Sequence, residues 1–217
     1  MEVLTQEMFD KILNDFCFSS GNCLVLENYI VKDISADVLR YLIIRIIFKN
    51  CRIESLRIEH MAMYELVYEN CEIVDYEDIL FIEKASIVNC TFIKPVPLTC
   101  PENGEFIGYK KCNYWDKKTD SYRYCIVNLL IPSDAKRSSS FGRKCRCSKA
   151  KVLGIFSLEG DELKHINSAS SLVLDGILYE LGKEVYPDSF DENRYYECSH
   201  GIHFFMSFDE ARDYYLM

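Results

Sequence analysis

Several familiar signals are absent from this sequence. No run of 18 apolar residues occurs, the length a helix needs to cross a bilayer, and the stretch Tyr41–Ile44 is already broken by Arg45. Met1–Asp10 carries neither the basic start nor the apolar core of a secretory leader. Positive charge is in deficit: 25 Lys and Arg stand against 34 Asp and Glu, a formal −9. That balance argues against general nucleic-acid binding and against an anionic membrane as partner. Phosphate-binding fingerprints are also missing. Neither Gly-x-x-x-x-Gly-Lys-Ser/Thr nor Gly-x-Gly-x-x-Gly occurs, which excludes a Walker loop and the usual dinucleotide turn. With 49% apolar and 27% charged residues, what remains is an ordinary globular chain of one domain or two small ones, expected in the cytoplasm.

Cysteine, by contrast, is plentiful. Eleven cysteines, an odd number without a leader, read as reduced thiols, and Cys23, Cys51, Cys71 and Cys90 lie in apolar settings as small hydrophobes. Cys145-x-Cys147 with Cys198, His200 and His203 could in principle supply four zinc ligands. No Cys-x-x-Cys pair supports them and several cations adjoin, so neither metal nor other cofactor is expected. Cys145, between Lys144 and Arg146, is also a candidate nucleophile with His203 as its base.

The first half is periodic. Asn50-Cys51, Asn70-Cys71 and Asn89-Cys90 recur at spacings of 20 and 19, and a five-residue period lies within them. The first pentad residues (Ala36, Tyr41, Ile46, Cys51, Leu56, Met61, Leu66, Cys71) are apolar. So are the third (Val38, Ile43, Phe48, Ile53, Ile58, Met63, Tyr68, Ile73). The fifth positions, such as Asn50, Ser55, Asn70 and Asp75, are polar. A helix repeats near 3.6 residues and a flat strand at 2. A period of five instead means two inward side chains and a corner, four times per coil, with coils stacked at the usual strand spacing.

Ala36-Asp37-Val38-Leu39-Arg40 resembles the unit of the pentapeptide-repeat family, Ala-(Asp/Asn)-Leu-X-X. The resemblance implies a right-handed quadrilateral β-helix over residues 21–95. Residues 1–20 hold a capping helix at Thr5–Phe16, with Thr5 as N-cap and Met8, Phe9, Ile12, Leu13 and Phe16 on one face. Arg40, Arg45, Arg52 and Arg57 beside Glu54, Glu59, Glu65 and Glu72 make a mixed, solvated exterior rather than an acidic rod.

The period breaks at Lys94-Pro95-Val96-Pro97, and residues 96–217 read as an α+β domain. Strands are expected at Phe106–Lys110, Tyr122–Ile131, Lys151–Phe156, Val173–Leu181 and Ile202–Met206, with a capping box opening a helix at Ser207–Leu216. Residues 136–151 form a basic loop, seven cations in sixteen residues with no acid, while the rest of the chain carries −16. Serine hydroxyls, Gly142 and paired arginines there suit a phosphate.

Three strings, Glu105–Cys112, Ile131–Cys147 and Glu197–Phe205, resemble an uncharacterised domain found behind pentapeptide repeats in bacteria, phages and large DNA viruses. Gly201–Phe204 running into a helix that ends at Tyr214 is similar to the ADP-ribosyltransferases, which implies nucleotide binding near Tyr109-Lys110 and His203. The expected function is a binding protein holding a phosphorylated small molecule, with a nucleotide as the leading class. Its ligand-binding residues are Arg137, Ser138, Arg143, Lys144, Tyr109 and His203. In a phage or virus it would sequester a host signalling nucleotide. The alternatives are a nucleotide-processing enzyme with His203 or Glu197 as acid or base, and an assembly module whose basic loop docks on an acidic partner surface. A homodimer is compatible with either.

Overall fold

The structure, a computed structural model, describes residues 1–17, 23–37, 45–59, 65–79, 82, 85–172 and 176–214. Strands dominate, and the chain divides into two compact units, Met1–Pro97 and Leu98–Met217.

The first unit is built from parallel strands stacked at nearly constant sequence offset. One sheet runs β1 (Glu2–Leu4), β3 (Tyr29–Val31), β6 (Arg52–Ile53), β9 (Glu72–Ile73), β11 (Thr91–Phe92). A second runs β10 (Ser86–Val88), β8 (Glu65–Glu69), β5 (Arg45–Lys49), β2 (Cys23–Glu27), and β4 (Ile34–Asp37) pairs β7 (Leu56–Glu59). The partners step by one coil each time: Leu24 opposes Ile46, Ile46 opposes Leu66, and Val31, Ile53 and Ile73 align in the first sheet. The pentad reading anticipates the core. Ile46, Phe48, Cys51, Ile53, Leu56, Ile58, Leu66, Tyr68, Cys71 and Ile73 are all buried. Tyr41, Val38, Ile43, Met61, Met63 and Arg40 lie outside the described residues.

The Asn-Cys dipeptides mark the corners. Asn50, Asn70 and Asn89 have φ of 51°, 52° and 51°, in the left-handed region that Asn tolerates better than most residues. Each following cysteine turns inward and donates its S–H down the stack. Cys51 reaches the Leu26 carbonyl, Cys71 that of Phe48, and Cys90 that of Tyr68, at 3.5, 3.3 and 3.3 Å. Outside, the mixed charges pair across coils, Arg45 with Glu65 and Arg52 with Glu72. At the start of the chain, α1 (Gln6–Cys17) begins where Thr5 Oγ1 accepts from Met8 N–H, and it buries Phe9 and Leu13.

The second unit is antiparallel. A six-stranded sheet has the order β18 (Leu178–Glu180), β17 (Ser168–Ser171), β12 (Phe106–Asp116), β13 (Ser121–Ile131), β16 (Ala150–Phe156), β19 (Glu184–Val185). A smaller sheet joins β14 (Arg137–Ser139), β15 (Cys145–Cys147) and β20 (Ile202–Phe204). Among the described residues its only helix is α2 (Phe208–Asp213), opened by the expected capping box of Ser207 and Glu210. The helical share anticipated for an α+β domain thus reduces to six residues. Of the expected strand Val173–Leu181, the described part forms β18; residues 173–175 lie outside, as does Leu216.

Candidate functional site

The expected anion loop is a hairpin, and five of its seven cations, Lys136, Arg137, Arg143, Arg146 and Lys149, are held by carboxylates or carbonyls of the unit. Arg137 donates to the carbonyls of Pro101, Gly104, Pro132 and Ser133, tying down the turns that flank β12 and β13. Arg143 pairs with Glu210 at 2.6 Å, Lys136 with Glu192 and Lys149 with Asp134. Arg146 is 1% exposed and donates to the carbonyls of Asp191, Asn193 and His200, with its guanidinium over the Phe190 ring. Ser138 is buried with its hydroxyl unpartnered, and a side chain on Gly142 would collide with the Glu197 carboxylate. Charge density in the sequence was the signal for an anion site. Folding brings distant carboxylates and turn carbonyls onto those charges, so Arg137, Ser138 and Arg143 do not form a common site.

A different set of cations meets in a cavity of about 680 Å³, within the range of small-molecule pockets. Lys110 from β12 and Lys144 from the hairpin line it, with His203 from β20, Tyr179 from β18, and Cys198 and Tyr214. Antiparallel pairing puts them together. Arg146 opposes His203 across β15 and β20, while Tyr109 and Phe205 exchange backbone hydrogen bonds that tie β12 to the end of β20. Gly108 permits that approach, since a side chain there would strike the Phe204 ring. Tyr109 itself packs edge-on against Phe208 and does not line the cavity.

Electrostatics set the character of the cavity. Lys110 donates to the His203 carbonyl at 3.0 Å, and burial, reinforced by nearby Lys144, lowers its pKa. Lys144 lies 3.2 Å from Cys198 Sγ and over the Tyr214 ring; burial disfavours its ammonium, but the Cys198 contact helps raise its pKa. Among the described residues neither lysine has a carboxylate at ion-pairing distance. Burial, with the fields of Lys110 and Lys144, pushes His203 down to about 3, so the imidazole is neutral. With Nε2 at 3.2 Å from the Glu197 carbonyl, that nitrogen carries the proton. The Tyr179 hydroxyl is buried without a hydrogen-bond partner.

Of the six expected ligand-binding residues, the fold brings Lys144 and His203 together and leaves Tyr109, Arg137, Ser138 and Arg143 elsewhere. Lys110 and Tyr179 went unrecognised; the only sequence signal was Tyr109-Lys110, read one residue off because strand alternation puts neighbours on opposite faces. Two cysteine readings are corrected: Cys23, expected in an apolar setting, is exposed, and the candidate nucleophile Cys145 is buried. Cys145 is 0% exposed with its pKa driven up, chiefly by its contact with Cys100 and by burial, which rules it out as a nucleophile. Cys145 and Cys147 face the core while Cys198 is exposed beside Lys144, so no zinc set assembles from them. Among the described residues no cluster of three His, Cys, Asp or Glu has metal-binding geometry, and no helix is long and apolar enough to cross a membrane.

No curated protein and no solved structure matches the chain. Residues 96–211, more than half of it, match the family of unknown function DUF5758, and the chain belongs to that family.

Proposed function

We propose that the second unit is a binding module for a phosphorylated small molecule, a nucleotide being the class that suits its cavity best. The observation that carries this reading is the pair Lys110 and Lys144, two cations in one cavity with no carboxylate at ion-pairing distance among the described residues; Asp188, which also lines the cavity, is engaged by His200 instead. An incoming phosphate supplies the missing charge, and ammonium–phosphate hydrogen bonds are among the stronger kind. The two ammonium groups lie over the Tyr179 and Tyr214 rings, and neutral His203 adds no further charge. In the phage or virus setting that the resemblance implies, such a module sequesters a host signalling nucleotide. The assembly reading has less support, because Lys136, Arg137, Arg143 and Lys149 of the hairpin already have partners.

The first unit serves this module as a scaffold, and we propose that it is a right-handed quadrilateral β-helix of pentapeptide-repeat type. The three parallel ladders with one-coil offsets support that.

Calorimetric titration with pyrophosphate, nucleotides and the matching nucleosides tests the ligand class. Phosphorylated compounds bind, nucleosides bind at least about tenfold more weakly, and Lys110→Met or Lys144→Met each weakens phosphate binding about tenfold, as loss of one charged hydrogen bond predicts. Silence across the panel overturns the reading.

A further inference from the structure

Cys198 is the one cysteine of the second unit that is exposed; Cys100, Cys112, Cys125, Cys145 and Cys147 are buried among the described residues. It stands on the rim of the lysine cavity with the Lys144 ammonium 3.2 Å from its sulfur. A cation at that distance favours attack by sulfur, since the thiolate is the nucleophile. Independently of the cysteine, Tyr179 is among the residues around the same cavity, and its fully buried hydroxyl has no hydrogen-bond partner among the described residues.

We propose that Cys198, paired with Lys144, is a reactive thiol that exchanges with an anionic low-molecular-weight disulfide held in the cavity. The proposal rests on the reading of the cavity as an anion site. Lys110 holds the acid group, Lys144 stands beside the attacking sulfur, and the disulfide lies between. The Cys198 proton passes to solvent and the sulfur attacks the nearer sulfur of the disulfide. A new S–S bond forms as the old one breaks, and the displaced half departs as a thiolate with the electron pair, so the disulfide is itself the oxidant. The buried thiols take no part. Burial pushes Cys112 and Cys147 up to about 12 and leaves them protonated at neutral pH.

Peptide-resolved mass spectrometry of the full chain, timed after adding dithiobis(nitrobenzoate), an anionic disulfide, or dithiodipyridine, a neutral one, tests this. Cys23 is the internal reference: it is exposed, and Arg45 opposite it is already paired with Glu65. Cys198 reacts about tenfold faster than Cys23 with the anionic reagent, and the advantage shrinks with the neutral one. Lys144→Met removes most of it for both reagents, whereas Lys144→Arg, which keeps a cation, retains it. Lys110→Met slows the anionic reagent alone. Equal rates at Cys198 and Cys23, or a Lys144→Met protein of native circular dichroism that labels like the parent, overturn the proposal. Lys144 dependence without anionic preference overturns the disulfide's charge class, and with it the reading of the cavity as an anion site, while leaving the thiol pair in place.

Discussion

The side-chain amide of Gln6 takes the place of a neighbouring strand for Ser35. Its Nε2 donates to the Ser35 carbonyl and its Oε1 accepts the Ser35 N–H, both at 2.8 Å. Open strand edges invite pairing with other chains, and here one amide occupies both backbone groups of Ser35 in β4. Gln6→Ala removes two hydrogen bonds and should cost about 1–2 kcal/mol. Gln6→Glu, which keeps the acceptor but sets a carboxylate against the Ser35 carbonyl, should do no better. Urea unfolding followed by circular dichroism checks both.

Asn70 supplies a second test of the stacked coils. Its φ of 52° is strained for most side chains but easy for glycine. Asn70→Ala is expected to destabilise the first unit by about 1 kcal/mol, and Asn70→Gly by distinctly less. If the alanine variant unfolds at the same urea concentration as the parent, the corner is not a conformational constraint.

The contrast between the two units shows where sequence reading runs out. In the first, neighbours in space lie one coil apart in sequence, so the period itself identifies Ile53 over Ile73 and Phe48 against Tyr68, whose rings stack at 5.6 Å. In the second, the partners of each cation come from far along the chain: Glu210 for Arg143, the Asp191 to His200 carbonyls for Arg146, Pro101 and Gly104 for Arg137. Nothing periodic announces those pairings. The expected basic loop was visible as charge, whereas the cavity depends on Lys110 meeting Lys144 across antiparallel pairings that composition does not encode.

Arg146 should therefore behave as a structural residue. Its buried guanidinium satisfies three carbonyls of the segment from Asp191 to His200, and a side chain on Gly201, at φ 141°, would press on its Cβ. Arg146→Ala leaves those carbonyls unpaired and should cost about 3 kcal/mol or more. Arg146→Lys should not restore it, because one ammonium cannot span the fork. Thermal unfolding of both variants checks this; a full rescue by lysine would show that charge rather than planar geometry is what the site requires.

His203 predicts a pH dependence with a definite sign. The fold holds it neutral down to about pH 3, against an ordinary value of 6.5, because burial and the two lysines oppose its protonation. Below pH 6.5 the unfolded chain therefore binds a proton that the folded chain does not. Its contribution is fully present above that pH and declines as pH falls, by at most about 1.4 kcal/mol per pH unit. Between pH 6.5 and 5 the carboxylates with lowered pKa, Asp191 and Glu210, are still ionised and hide little of this slope. Urea midpoints measured across that window should fall for the parent and stay nearly level for His203→Gln. The proposed phosphate site gives a second readout: on that proposal a filled cavity places negative charge beside the imidazole, so saturating pyrophosphate should make the decline shallower in the parent and leave the variant unchanged.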